Sequence, residues 1–72
     1  MIIVGIGSNI RKYRILCEMT QTQLADKSLV EQTVISRYET GKIIPPIIKL
    51  EQIAKALNVT LEVLVKVENE IC

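Results

Sequence analysis

Residues 20–42 read TQTQLADKSLVEQTVISRYETGK, and this stretch decides the fold. Thr20 followed by Gln23 is a capping box, in which the Thr hydroxyl and the Gln amide satisfy orphan amides at a helix start. Leu24 and Ala25 face inward on this helix, and small Ala25 suits the close approach of a neighbour. The helix stops near Lys27, and Ser28, Leu29 and Val30 make a turn. A second helix covers about Gln32 to Glu39, with Val34, Ile35 and Tyr38 on its inner face. Gly41 is placed to end it in a left-handed conformation. Gln32, Thr33, Ser36, Arg37 and Thr40 fall at i, i+1, i+4, i+5 and i+8, a continuous polar strip on the outer face.

Gln, Ser, Thr and Arg side chains can hydrogen-bond base edges or phosphates. A tight helix pair presenting such a strip is the helix-turn-helix arrangement for reading DNA.

Working outward, a first helix is predicted to start near Gly7 or Ser8, capped by Ser8 or Asn9, and to end around Glu18 and Met19. Ile6, Ile10, Tyr13 and Cys17 share one of its faces. After a loop at 43–46, Pro45 and Pro46 open a fourth helix whose apolar stripe is Ile47, Leu50, Ile53, Ala54 and Leu57. Asn58 is a left-handed terminator, and Thr60 caps a short fifth helix from Leu61 to about Leu64. The tail alternates Val65, Val67 and Ile71 with Lys66, Glu68 and Glu70, and Ile2, Ile3 and Val4 are β-branched. The two ends are therefore candidates for a small two-stranded antiparallel sheet.

The chain has 72 residues, one domain at most. It contains no Phe and no Trp, so the core is built from Ile, Leu and Val. A mean hydropathy of +0.30 suggests that some apolar surface faces a partner chain. Net charge is +1 overall, with +2 on residues 1–42 and −1 on 43–72, which favours an anionic partner for the first half. Cys17 and Cys72 are isolated thiols, and there is no His. No metal, cofactor or disulfide framework is expected, and a reduced cytoplasm suits the chain. The run MIIVGIG is too short for a signal peptide or membrane span.

With these elements laid out, the chain resembles the lambda-repressor-like (Cro/Xre) helix-turn-helix family. The matching strings are IGSNIRKYR, TQTQLA, VISRYETGK and PPIIKLEQIAKALNVTLEVLV, together roughly residues 6–65. The resemblance implies a five-helix all-α domain: one unit over 1–72, core 6–65, reading unit 20–39, terminal segments 1–5 and 66–72. It implies that Gln32, Thr33, Ser36 and Arg37 lie in the major groove, with Gln32 and Arg37 the chief base readers. It implies that Gln21 touches a phosphate and braces a side chain of the third helix, and that Thr40, Gly41 and Lys42 contact phosphates. Arg14 and Glu39 match a largely buried structural ion pair, and removing one partner of such a pair costs roughly 3–5 kcal/mol. Three departures from the family pattern stand out. Glu31 stands where Ser or Thr is usual, Leu29 where Gly is common, and Ile43 and Ile44 where residues are often polar or basic.

The leading expectation is a sequence-specific, double-stranded-DNA-binding transcriptional regulator, a repressor acting as a homodimer on a two-fold operator. Ile44 and Ile48 are one candidate dimer surface, and Ile2, Ile3 and Val67 on the terminal strands are the rival. The alternative is a protein-interaction module, an antitoxin or accessory subunit with a regulatory protein partner, favoured by the near-neutral charge, Glu31 and the isoleucines. An enzyme is excluded: there is no His, no metal-ligand cluster, and Gly5 and Gly7 do not extend to a dinucleotide motif.

Overall fold

The computed structural model of the protein describes residues 5–65. Among them the chain forms α1 (Ile6–Leu16), α2 (Gln21–Ser28), α3 (Gln32–Glu39), α4 (Ile47–Leu57) and α5 (Leu61–Val65), the five-helix all-α fold that the resemblance implies. There is no strand among the described residues. The expected terminal sheet, with Ile2, Ile3 and Val67, lies outside them, as does Cys72. No helix among the described residues is long and apolar enough to cross a membrane.

The core is aliphatic, with Tyr38 as its one ring: Ile10, Leu24, Val30, Ile35, Leu50, Ile53, Ala54, Leu57 and Leu64 are buried around it. Ile35 and Tyr38 turn inward from α3 as their spacing requires, and Val34 packs half-buried at the edge. On α4 the stripe Leu50, Ile53, Ala54 and Leu57 is buried, whereas Ile47 in the first turn is exposed.

Helix α1 begins earlier than its capping residues suggest. Gly5 is the N-cap and makes no side-chain cap, and its carbonyl accepts from the amides of Ser8 (3.0 Å) and Asn9 (3.3 Å). Asn9 is instead buried inside the helix, where its Nδ2 donates to the Leu64 carbonyl at 2.8 Å. A helix's last carbonyls lack intrahelical partners. The Asn9 amide serves one belonging to α5, which a solvent-facing cap could not do. Gly7 is also helical, and a Cβ there would collide with the Tyr38 carbonyl oxygen. It is the point where the backbones of α1 and α3 meet.

Four helices end through a left-handed residue: Glu18 (φ 60°), Leu29 (φ 61°), Gly41 (φ 78°) and Asn58 (φ 59°). After α1, the Met19 amide donates to the Arg14 carbonyl (3.1 Å) and the Glu18 amide to that of Ile15 (2.9 Å), a Schellman motif. This pattern ends α1 at Leu16, ahead of the expected Glu18. Pro46 is the N-cap of α4 rather than part of its first turn, and its carbonyl accepts the first helical bond from Leu50 at 2.9 Å.

Candidate nucleic-acid interface

Helix α2 is set by its capping box. Thr20 Oγ1 accepts from the Gln23 amide at 3.0 Å, and Gln23 Oε1 accepts from the Thr20 amide at 2.9 Å. These groups are committed to the helix start, which leaves Gln21 as the polar side chain turned toward α3. The Leu29 amide donates to the Ala25 carbonyl at 2.9 Å and closes α2. Val30 then anchors the turn in the core and Glu31 becomes the N-cap of α3, without a side-chain cap bond.

The polar strip of α3 forms as its periodicity requires. Gln32, Thr33 and Arg37 are exposed and Ser36 is half-buried. With Thr40 and Lys42 they line one open groove of about 310 Å³. Arg37 and Lys42 make its far end cationic. The near end borders a second depression that includes Asp26, Leu29 and Glu31, so the positive charge sits at the C-terminal half of α3.

Thr40 is largely occupied by its own helix. Its Oγ1 lies 3.0 Å from the Ser36 carbonyl and 3.3 Å from that of Arg37, and its amide donates to Ser36 O. The Gly41 and Lys42 amides likewise donate to the Tyr38 and Arg37 carbonyls, at 3.1 and 2.9 Å. The remaining donor of this loop, turned toward the groove, is the Lys42 ammonium.

Behind the strip lies a continuous hydrogen-bonded chain. Arg14 Nε donates to Glu39 Oε2 at 2.7 Å and its Nη2 to Oε1 at 3.1 Å, with only 12% of the Arg14 side chain and 3% of the Glu39 side chain exposed. Arg14 Nη1 also donates to the Met19 carbonyl at 2.8 Å. Gln21 Nε2 donates to Glu39 Oε1 at 3.1 Å, and Gln21 Oε1 accepts from Gln32 Nε2 at 2.7 Å. The ion pair and the Gln21 brace follow the expected pairing. The link between them, Gln21 to Glu39, was not read from the sequence, because the two residues are 18 positions apart and each is explicable without the other.

A separate surface is apolar. Ile43, Ile44, Ile47 and Ile48 are all exposed, Ile44 at 79% and Ile48 at 66%. Beside them, Gly5, Ile6, Gly7, Tyr38, Gly41 and Pro45 line an apolar recess with Ile43 and Ile44. The described residues contain no group of three or more His, Cys, Asp and Glu that could hold a metal. Burial pushes the Tyr38 phenol above its usual pKa of 10.0.

Two short helices across a tight turn, the second presenting a groove-lining polar strip, define a helix-turn-helix unit. The chain belongs to the helix-turn-helix family of the Cro/C1 (Xre) type, whose model matches residues 10–64. That family is a family of DNA-binding domains and is non-enzymatic. No curated protein matches the chain. Among solved structures, it is similar to the biofilm master regulator SinR in complex with DNA, with 29% identity over 85% of this chain and 98% of that one and a TM-score of 0.81. It is similar to the P22 c2 repressor in complex with a synthetic operator, with 27% identity over 88% of this chain and 96% of that one and a TM-score of 0.80. SinR is also matched in its complex with SinI, again at 29% identity and a TM-score of 0.81, over 85% of this chain and 60% of that one. The restriction-modification controller protein C.AhdI from Aeromonas hydrophila shares the fold, with 22% identity over 82% of this chain and 89% of that one and a TM-score of 0.80.

Proposed function

We propose that the protein is a sequence-specific transcriptional repressor that binds a two-fold operator as a homodimer. The observation that carries this reading is the groove formed by Gln32, Thr33, Ser36, Arg37, Thr40 and Lys42 on the exposed face of α3. The likeness to SinR and the P22 c2 repressor, both seen on DNA, supports it. Arg37 suits guanine through paired donors and Gln32 suits adenine. Thr33 and Ser36 add secondary contacts, and Lys42 and Gln21 hold phosphates. Thr40 and Gly41 belong to the same loop and act by shaping it, since their own donors serve α3. Repression follows from occupancy: a bound dimer excludes polymerase from the operator.

A two-fold site needs two copies with their α3 helices about one helical turn apart, ~34 Å. The described part of one copy measures 37 × 23 × 20 Å, dimensions of the same order as that spacing. Ile44 and Ile48 are the surface we assign to the pairing.

Fluorescence anisotropy with duplexes selected from a random pool tests the reading. Selected sites should be symmetric, and log affinity should fall with log salt by about 0.9 for each phosphate neutralised. Absence of duplex binding even at low salt overturns it. Sedimentation should show a dimer at micromolar concentration that Ile44→Lys with Ile48→Lys reduces to a monomer. A persistent wild-type monomer rejects the pairing surface.

A second reading is a module that binds a regulatory protein. The exposed isoleucines favour it, as does the SinR–SinI complex. An association that requires these isoleucines, in a protein without duplex affinity, is the result that would select it.

A further inference from the structure

The ion pair behind the recognition helix does more than tie α1 to α3. A carboxylate has no proton to give, so any group bonded to it must be a donor. Glu39, paired with Arg14, therefore requires the amide nitrogen of Gln21, as the 3.1 Å bond has it. That leaves the Gln21 carbonyl facing α3, where it in turn requires a donor. Gln32 supplies one N–H of its Nε2 at 2.7 Å. Inverting Gln32 would set two carbonyl oxygens face to face. Inverting both glutamines would set a carbonyl against the carboxylate. The direction of the chain is thus fixed from the ion pair outward, independently of how either amide is drawn.

Gln32 is left with one free N–H and its carbonyl oxygen. In the major groove adenine offers an acceptor and a donor, whereas guanine offers two acceptors. A free glutamine can turn both of its N–H groups to guanine, but this one has already committed one of them. We propose that Arg14 and Glu39 are positioning residues for base selection: through Gln21 they commit one N–H of Gln32 and so favour adenine over guanine at the base pair it faces. This rests on the reading that Gln32 contacts a base.

Two variants break the chain differently. Gln21→Met keeps the ion pair and removes the amide between it and Gln32. Arg14→Met with Glu39→Met replaces the pair by apolar groups, a change that commonly preserves folding, and frees Gln21 to invert. Duplexes selected from a random pool are compared for the wild type, both variants and Gln32→Ala. The preference for adenine over guanine at the Gln32 position should fall about tenfold in both variants, within the range that one good base pairing carries. Affinity of the double variant for random duplex should stay within about threefold, since no phosphate contact of the resemblance includes Arg14 or Glu39. In the free protein, the Gln32 side-chain amide proton bonded to Gln21 should be shifted by NMR; Gln21→Met should return it to the solvent value, and the double variant should move it part of the way.

Gln32 amide signals identical in all three proteins overturn the chain itself. A shift of selected sites in Gln32→Ala, with adenine preference intact in both chain-breaking variants, overturns its role in selection alone. Selected sites unchanged by Gln32→Ala remove the base-reading role on which the proposal rests. A uniform loss of affinity on all sequences in the double variant, with its adenine preference intact, marks the pair as merely structural and rejects the proposal.

Discussion

Gly7→Ala places a methyl group between two backbones. Its Cβ would overlap the Tyr38 carbonyl oxygen and lie 2.8 Å from the Tyr38 carbonyl carbon and 3.1 Å from Glu39 Cα. Carbon atoms rest about 3.5–4.0 Å apart, so α1 and α3 must part by about 1 Å at this point. No rotamer relieves the clash, because every obstacle is main chain. Overpacking of this kind costs about 1–3 kcal/mol, and a backbone-only obstacle puts the cost at or above the upper end. Alanine returns up to about 1 kcal/mol in helix propensity. The net loss is about 2–3 kcal/mol from a domain whose total is about 4–10 kcal/mol at this size. At 4–8 °C per kcal/mol, Tm should fall by roughly 10–20 °C, read by far-ultraviolet circular dichroism and urea titration. Gly5→Ala is the control, since its Cβ would meet nothing nearer than the Gly7 amide at 3.8 Å. A Gly7→Ala protein melting within a few degrees of the wild type would refute the close approach of α1 and α3.

Leu29 has φ 61° and is 79% exposed, so Leu29→Gly removes left-handed strain while losing little burial. The strain is about 1–2 kcal/mol and the glycine entropy offsets part of it, leaving a gain of about 0.5–1 kcal/mol. An unchanged or lower Tm would contradict this. Arg37→Ala should cost about 1–3 kcal/mol on the preferred duplex and relax selection at one base pair. Equal losses on every duplex would make Arg37 a phosphate contact. The folded Tyr38 phenol has a raised pKa, so its contribution is complete below pH 10.0 and declines as pH rises through the folded value. Melting between pH 8 and 11 should show a steeper alkaline decline for the wild type than for Tyr38→Phe; parallel curves would remove the effect.

What the sequence made legible is what short-range spacing determines. Thr20 and Gln23 are three apart and their reciprocal cap is present; Ile35 and Tyr38 share a helix face and are buried. The same periodicity put Gln32, Thr33, Ser36 and Arg37 along one groove. The illegible parts depend on distant partners or on unusual backbone. Asn9 looked like a cap because asparagine often is one, and its partner Leu64 is 55 residues away. Gly7 reads in the sequence only as a candidate helix start, and only the position of Tyr38 shows why a side chain would not fit there. Gly41 and Asn58 announced left-handed turns, whereas Glu18 and Leu29 adopt the same conformation with side chains that seldom do. Around the reading helix, the ion pair and the brace followed from the resemblance, but their union through Gln21 and Glu39 required coordinates.

The bond from Asn9 to Leu64 makes the domain a ring. Its Nδ2 and the Leu64 carbonyl stand 2.8 Å apart, so the first and last helices meet although they lie at opposite ends of the described chain. A fragment stopped before Leu64 would lose the carbonyl to which the Asn9 amide donates and take a fully buried side chain out of the core, so the smallest autonomous piece extends through α5. The ring also tolerates being opened elsewhere. A circular permutant with a linker joining the outer ends and new termini in the loop between α3 and α4 retains this bond, the core and the groove. Cutting there separates the reading helix from α4 in sequence, while α1 and α2 still pack against each of them.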